Sequence, residues 1–137
     1  MTAGHVYVRI YWEDTDAGGV VYHASYLRFM ERGRTELLRE RGIDQGALLS
    51  GSGLIFVVTH MDIRFRAAAK IDDELDVETA LKEIGGASVV LMQKVRRGTD
   101  VLVAADVTCA VISQSTGRPA RIPSDIKQKL GAPSLPI

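Results

Sequence analysis

Asp14 and Asp16 stand two residues apart in Asp14-Thr15-Asp16-Ala17-Gly18-Gly19, shortly before the longest helical pattern in the chain. Unpaired N–H groups at a helix start can polarise a substrate carbonyl, and a nearby carboxylate can serve as nucleophile or general base. That is an acyl-transfer arrangement contained in one short segment. The same residues have a plainer use, since Asp is common in turns and is favoured near helix N-termini by the macrodipole. Local pattern by itself favours the plainer use. The glycine pair permits positive φ and close backbone approach, so this loop can press its main chain against a ligand. His23, directly after Tyr22, suits hydrogen bonding to a substrate or orientation of the Asp, and equally suits packing or capping.

Other reactive residue types point elsewhere. A Ser/His/Asp triad lacks its G-x-S-x-G elbow. Cys109 alternates with Val107 and Val111 on a strand pattern, which describes a core thiol rather than a nucleophile. His60 belongs to the polar face of a strand. Lys94, Arg96 and Arg97 precede a turn, where they suit a nucleotide phosphate or a plain hairpin end. Arg28, Glu31, Arg32, Arg34, Glu36 and Arg39 mix signs at helical spacing, the pattern of a solvated or subunit-facing surface.

The elements that must position these groups follow from periodicity. His5 to Trp12 alternates Val6, Val8, Ile10 and Trp12 with Tyr7, Arg9 and Tyr11, a half-buried strand. From Tyr26 to Arg41 the period is helical, with Ser25 as N-cap and Gly42 just past the end. Gly51-Ser52-Gly53 reads as a flexible connection. Beyond it, Ile55, Val57, Thr59, Met61, Ile63 and Phe65 fall on one face of a long strand, and His60, Asp62, Arg64 and Arg66 on the other. Leu75 to Leu81, Val89 to Arg96 and Val101 to Ile112 give three more strands, separated by Gly85-Gly86 and Gly98-Thr99-Asp100, and should form an antiparallel meander. Pro123-Ser124 opens a short helix ending near Gly131, and residues 131–137 read as a loose tail. The fold class is α+β, with one long helix covering a five-stranded antiparallel sheet. One helix covers such a sheet incompletely, so leftover sheet surface and open edges favour self-association.

Composition bounds the partners. The 137 residues, 46% hydrophobic, suit one domain spanning 1–137. Seventeen basic residues balance seventeen acidic ones without a strongly basic segment, which argues against nucleic acid. A lone cysteine with no zinc-like Cys/His spacing makes a reducing compartment and no structural metal the expectation. The N-terminus lacks a secretory pattern and no apolar run approaches the roughly 20 residues of a membrane span, so a soluble cytoplasmic protein is expected.

The stretch Tyr11-Trp12-Glu13-Asp14-Thr15-Asp16-Ala17-Gly18-Gly19-Val20-Val21-Tyr22-His23-Ala24-Ser25-Tyr26, continuing through Glu31-Arg32-Gly33-Arg34-Thr35-Glu36, closely resembles the 4-hydroxybenzoyl-CoA thioesterase family, and within it the Tol-Pal-associated acyl-CoA thioesterase branch. Looser similarity extends over Phe56-Val57-Val58, residues 67–73 and the last strands. The resemblance implies the hot-dog fold, a sheet wrapped around a central helix with paired subunits. It implies Asp16 as the catalytic carboxylate, the backbone N–H at His23 as the group facing the thioester carbonyl, and His23 as an active-site residue. Tyr22, Gly19, Thr59, Lys94, Arg96 and Arg97 complete the set as substrate-binding candidates, with Asp14 shaping the loop. No metal or cofactor is expected, since CoA is part of the substrate. Expected partners are acyl-CoA and a homodimer or homotetramer, with acyl carrier protein or the Tol-Pal system as further associations. The alternatives are another hot-dog activity such as a hydratase, or a non-catalytic acyl-thioester-binding or envelope-associated scaffold.

Overall fold

A computed structural model describes residues 2–134. The chain runs β1 (Gly4–Arg9), α1 (His23–Glu40), α2 (Gln45–Ser52), β2 (Leu54–Phe65), β3 (Glu74–Ile84), β4 (Ser88–Arg97), β5 (Asp100–Ser113) and α3 (Ser124–Leu130), with a single 3-10 turn at Trp12–Asp14. The strands form one antiparallel sheet in the order β1-β3-β4-β5-β2, so β3, β4 and β5 are the expected meander. This is the expected α+β layout, with a five-stranded sheet against one long helix. Helix α1 packs on β1, β3 and β4 and leaves the β5–β2 half of that face to α2 and to open space. No helix among the described residues is long and apolar enough to cross a membrane.

Gly33 brings α1 close to the sheet. A Cβ there would stand 2.7 Å from Thr79 Oγ1 and 3.0 Å from Gln93 Nε2, so any larger residue would push the helix outward. Gln93, fully buried, donates from Nε2 to the Met30 carbonyl and to Thr79 Oγ1, both at 2.8 Å, and its Oε1 accepts from Arg34 Nη1 at 2.9 Å. Buried amides that are fully bonded fix one geometry, because any shift strands a polar group away from water. Helix height and rotation above the sheet are thereby set.

Several boundaries differ from expectation. Strand β1 stops at Arg9, because the Asp14 carboxylate accepts the Tyr11 N–H at 2.9 Å and turns the chain. Ile10 still pairs with residues 72 and 73 and is fully buried, while Tyr11 and Trp12 project into solvent. Helix α1 begins at His23 with Tyr22 as N-cap, three residues before the expected start, and Ser25 is a buried helical residue rather than the cap. Gly51 and Ser52 belong to α2, which is capped by the Asp44 carboxylate on the Ala47 N–H and closed by Gly53 at φ +67°. In β2 a bulge at Thr59 interrupts the register between Val58 and His60. A bulge reverses side-chain parity. Phe56 and Val58 therefore share the inward face with Met61, Ile63 and Phe65, opposite the buried Val111, Cys109, Val107 and Val103, whereas Ile55 and Val57 turn outward, contrary to the strict alternation. In the tail, the Ser134 N–H donates to the Leu81 carbonyl at 2.8 Å, and residues 135–137 lie outside the described residues.

Candidate active site

Residues 15–21 form a small hairpin that folds back on the start of α1. Thr15 bridges Val21, the Asp16 N–H donates to the Val20 carbonyl at 2.9 Å, and the Gly19 N–H returns to the Asp16 carbonyl at 3.1 Å. Gly19 has φ +79°, a conformation that excludes most side chains. The Gly18 N–H donates to Asp16 Oδ1 at 2.8 Å, which orients the carboxylate. Oδ2 has no partner among the described residues, and the side chain is exposed.

Asp14 joins this hairpin to the helix. It is buried; its carbonyl accepts the Tyr22 N–H at 2.9 Å and the Ser25 hydroxyl at 3.3 Å, and its carboxylate meets Arg28 Nη2 at 3.4 Å as well as the Tyr11 N–H. Tyr22, with φ −63° and ψ 130°, offers no side-chain cap. The N–H groups of His23 and Ala24 therefore have no acceptor among the described residues. They are the positive end of an 18-residue helix dipole. The His23 ring lies between Tyr22, with centroids 4.6 Å apart, and Phe65 at the end of β2, met edge-on at 6.0 Å.

A second segment, residues 66–73, closes the other side. The Val21 N–H donates to the Ala69 carbonyl at 2.9 Å, Val20 bridges Lys70, and the Ala69 N–H donates to the Tyr26 hydroxyl oxygen at 3.0 Å. Burial pushes the Tyr26 hydroxyl above its ordinary pKa. The Lys70 N–H, more than the Arg97 guanidinium at 2.9 Å, holds the Asp73 carboxyl below its usual range.

The structure thus brings Asp16, Gly19, Tyr22 and His23 to one end of the molecule. Arg97 also reaches that end, bonded to Asp73 and to the Ala68 carbonyl at 3.4 Å. Lys94 and Arg96 do not. They alternate with the inward Gln93 and Val95 and so lie on the sheet face away from α1, where Arg96 pairs with Glu78 at 3.0 Å. Thr59 sits exposed in the β2 bulge, its hydroxyl 3.4 Å from the Thr108 carbonyl. Ser25, Arg28, Tyr26 and Phe65 support the site, a role that their places in the periodic pattern do not reveal. The i, i+3 spacing of Ser25 and Arg28, now joined at 3.2 Å, was the available signal.

Residues 10–130 match the family model described as the thioesterase-like superfamily. The acyl-CoA thioesterase YbgC of Haemophilus influenzae is 46% identical over 120 residues, 88% of each chain. A probable thioesterase from Bartonella henselae superposes with a TM-score of 0.85 at 42% identity, covering 89% of this chain and 100% of that one. A 4-hydroxybenzoyl CoA thioesterase variant complexed with 4-hydroxybenzoyl CoA shares the fold at a TM-score of 0.88 and 20% identity, over 96% of this chain and 100% of that one. The five-stranded sheet around α1 is the hot-dog architecture, and the chain belongs to the thioesterase-like superfamily.

Proposed function

We propose that this protein hydrolyses acyl-CoA thioesters, with Asp16 as the catalytic carboxylate and the His23 N–H as the group that polarises the thioester carbonyl. The observation that carries the proposal is the hairpin of residues 15–21, which sets a carboxylate with one free oxygen beside a helix terminus whose first N–H groups are unbonded. The similarity to acyl-CoA thioesterase YbgC supports the choice of substrate.

A thioester needs little further activation, since sulfur donates weakly into the carbonyl and leaves readily. Charge developing on the carbonyl oxygen is stabilised by N–H groups already in place. Asp16 attacks the carbonyl carbon, expelling the CoA thiolate and leaving a mixed anhydride that water opens, or it takes a proton from the water that attacks instead. His23, held between Tyr22 and Phe65, shapes the wall beside the reacting group.

The proposal includes a homo-oligomer. β2 is a 12-residue edge strand exposing Val58 and Phe65, the kind of edge that pairs with a second copy. It also includes a cytoplasmic setting, in keeping with the lone buried thiol.

The test is thiol release across a panel of short, long and aromatic acyl-CoAs, with matching acyl carrier protein thioesters, for the wild type and Asp16→Asn. The wild type should release thiol from at least one class and the variant should not, at unchanged fold and oligomer size. Equal release by both proteins removes Asp16 from the mechanism, and no release by the wild type from any substrate removes the activity.

A further inference from the structure

Away from the Asp16 hairpin, a cavity of about 320 Å³ opens between α1, the first half of β2 and the inward faces of β4 and β5. Leu38, Val89, Leu91 and Leu130 give it apolar walls, and Arg34 projects a guanidinium into it. Helical spacing marks Arg34 as solvated surface, yet the residue is half-buried, because its Nη1 is drawn inward to the Gln93 Oε1 at 2.9 Å. Gln93 is itself pinned through Nε2 to Met30 and Thr79, so it holds the guanidinium plane in one orientation.

The remaining guanidinium nitrogens have no acceptor among the described residues. No fully buried side-chain nitrogen among those residues lacks a partner, so these donors open into the cavity rather than into packed protein. Among the described residues no carboxylate lies within ion-pair distance of them. Cys109, also on its wall, is kept a neutral thiol by burial. Glu31, one turn earlier, is exposed at the mouth and forms no ion pair with Arg34. Desolvation weakens the hold of Arg34 on its own proton more than the charge of Glu31 strengthens it. An oriented planar fork in an apolar chamber matches a carboxylate carried on an aliphatic chain: the fork takes both oxygens and the walls take the chain.

We propose that this cavity binds the carboxylate end of a short aliphatic chain, with Arg34 as the recognising residue. The carboxylate is that of a free monocarboxylic acid, of the kind thioester hydrolysis releases; Arg34 lies eleven residues beyond His23 on α1, about 16 Å along the helix, out of reach of a short acyl chain whose thioester is held at the His23 N–H. The cavity's affinity for a carboxylate does not rest on the thioesterase reading.

Hexanoate and hexan-1-ol have equal chain length and differ in charge, and calorimetric titration of the full chain compares them. Hexanoate should bind about tenfold more tightly, and Arg34→Met should erase the difference. Hexanoate binding through Arg34 in a chain that hydrolyses no thioester keeps the cavity and discards the activity. Equal wild-type affinity for the two probes, or a preference that survives Arg34→Met, overturns the proposal. If Arg34→Met does not fold, Arg34→Lys takes its place, keeping the charge and losing the fork. Hexanoate should then weaken several-fold with hexan-1-ol unchanged, and undiminished hexanoate affinity counts against the proposal.

Discussion

At the first turn of α1, the His23 and Ala24 N–H groups and Asp16 Oδ2 have no partner among the described residues, whereas ten residues on, beside Gly33, the Gln93 amide is bonded at both ends, to Met30, Thr79 and Arg34. The helix start at Tyr22 and His23 is exposed and bounded by a glycine hairpin; the middle is buried and braced by Gln93 and Thr79. The contrast shows how one helix can serve two purposes. On the proposed function, bonding capacity left open at the end acts on a substrate, and bonding capacity closed in the middle prevents the helix from shifting to satisfy it.

The contrast is broken most directly at its open end. Asp16→Asn should lower thioester turnover by about 10²–10⁴-fold, a range set by loss of a general base, while thermal unfolding stays within measurement error because the side chain is exposed. A turnover loss accompanied by a large fall in Tm would mean that the hairpin is scaffolding. Gly33→Ala probes the closed middle. Its Cβ meets Thr79 and Gln93, so denaturant unfolding should show a loss of about 1–3 kcal/mol, and an unchanged midpoint would mean that α1 is not braced there. Asp14→Ala removes the joint between the two regions. It strips acceptors from the Tyr11 N–H and from Arg28, which should cost about 1–2 kcal/mol, with turnover falling further than stability explains.

The smallest effect concerns pH. Because the folded Asp73 carboxyl titrates below its unfolded value, its contribution to stability is present above the ordinary Asp range and is lost as pH falls through the folded value. Asp73→Asn should flatten the acid limb of a Tm-against-pH curve and leave the neutral region nearly level. A limb of unchanged slope would assign it to other carboxylates.

Much of this organisation is legible in the chain. The alternation in β3 to β5, the glycine turns between them and the helical period from Tyr26 onward each report a single local rule, and the structure follows them. What failed depended on rules that compete. The Val6-to-Trp12 alternation continues past the true end of β1, because the bond that turns the chain comes from Asp14, a residue outside the pattern. The Thr59 bulge cannot be read from alternation, which holds on either side of it with opposite parity. At the site, Asp16 and His23 stand out through their motif, but the sorting of cations does not. Lys94, Arg96 and Arg34 are all charges in periodic segments, and only register and the reach of Gln93 decide that the first two face outward and the third faces in.

Strand β2 lies at the sheet edge opposite β1, and among the described residues its one neighbouring strand is β5. A ribosome makes β2 well before β5, and it makes the Asp16 hairpin well before residues 69 and 70, which hold Val20 and Val21. The nascent chain must therefore carry a long apolar strand without a partner until residues 103–113 are synthesised. A transcript truncated within β4 would yield a protein that contains every residue of the Asp16 hairpin and helix α1 but leaves β2 exposed, which makes it a substrate for chaperones rather than a weaker form of the mature protein.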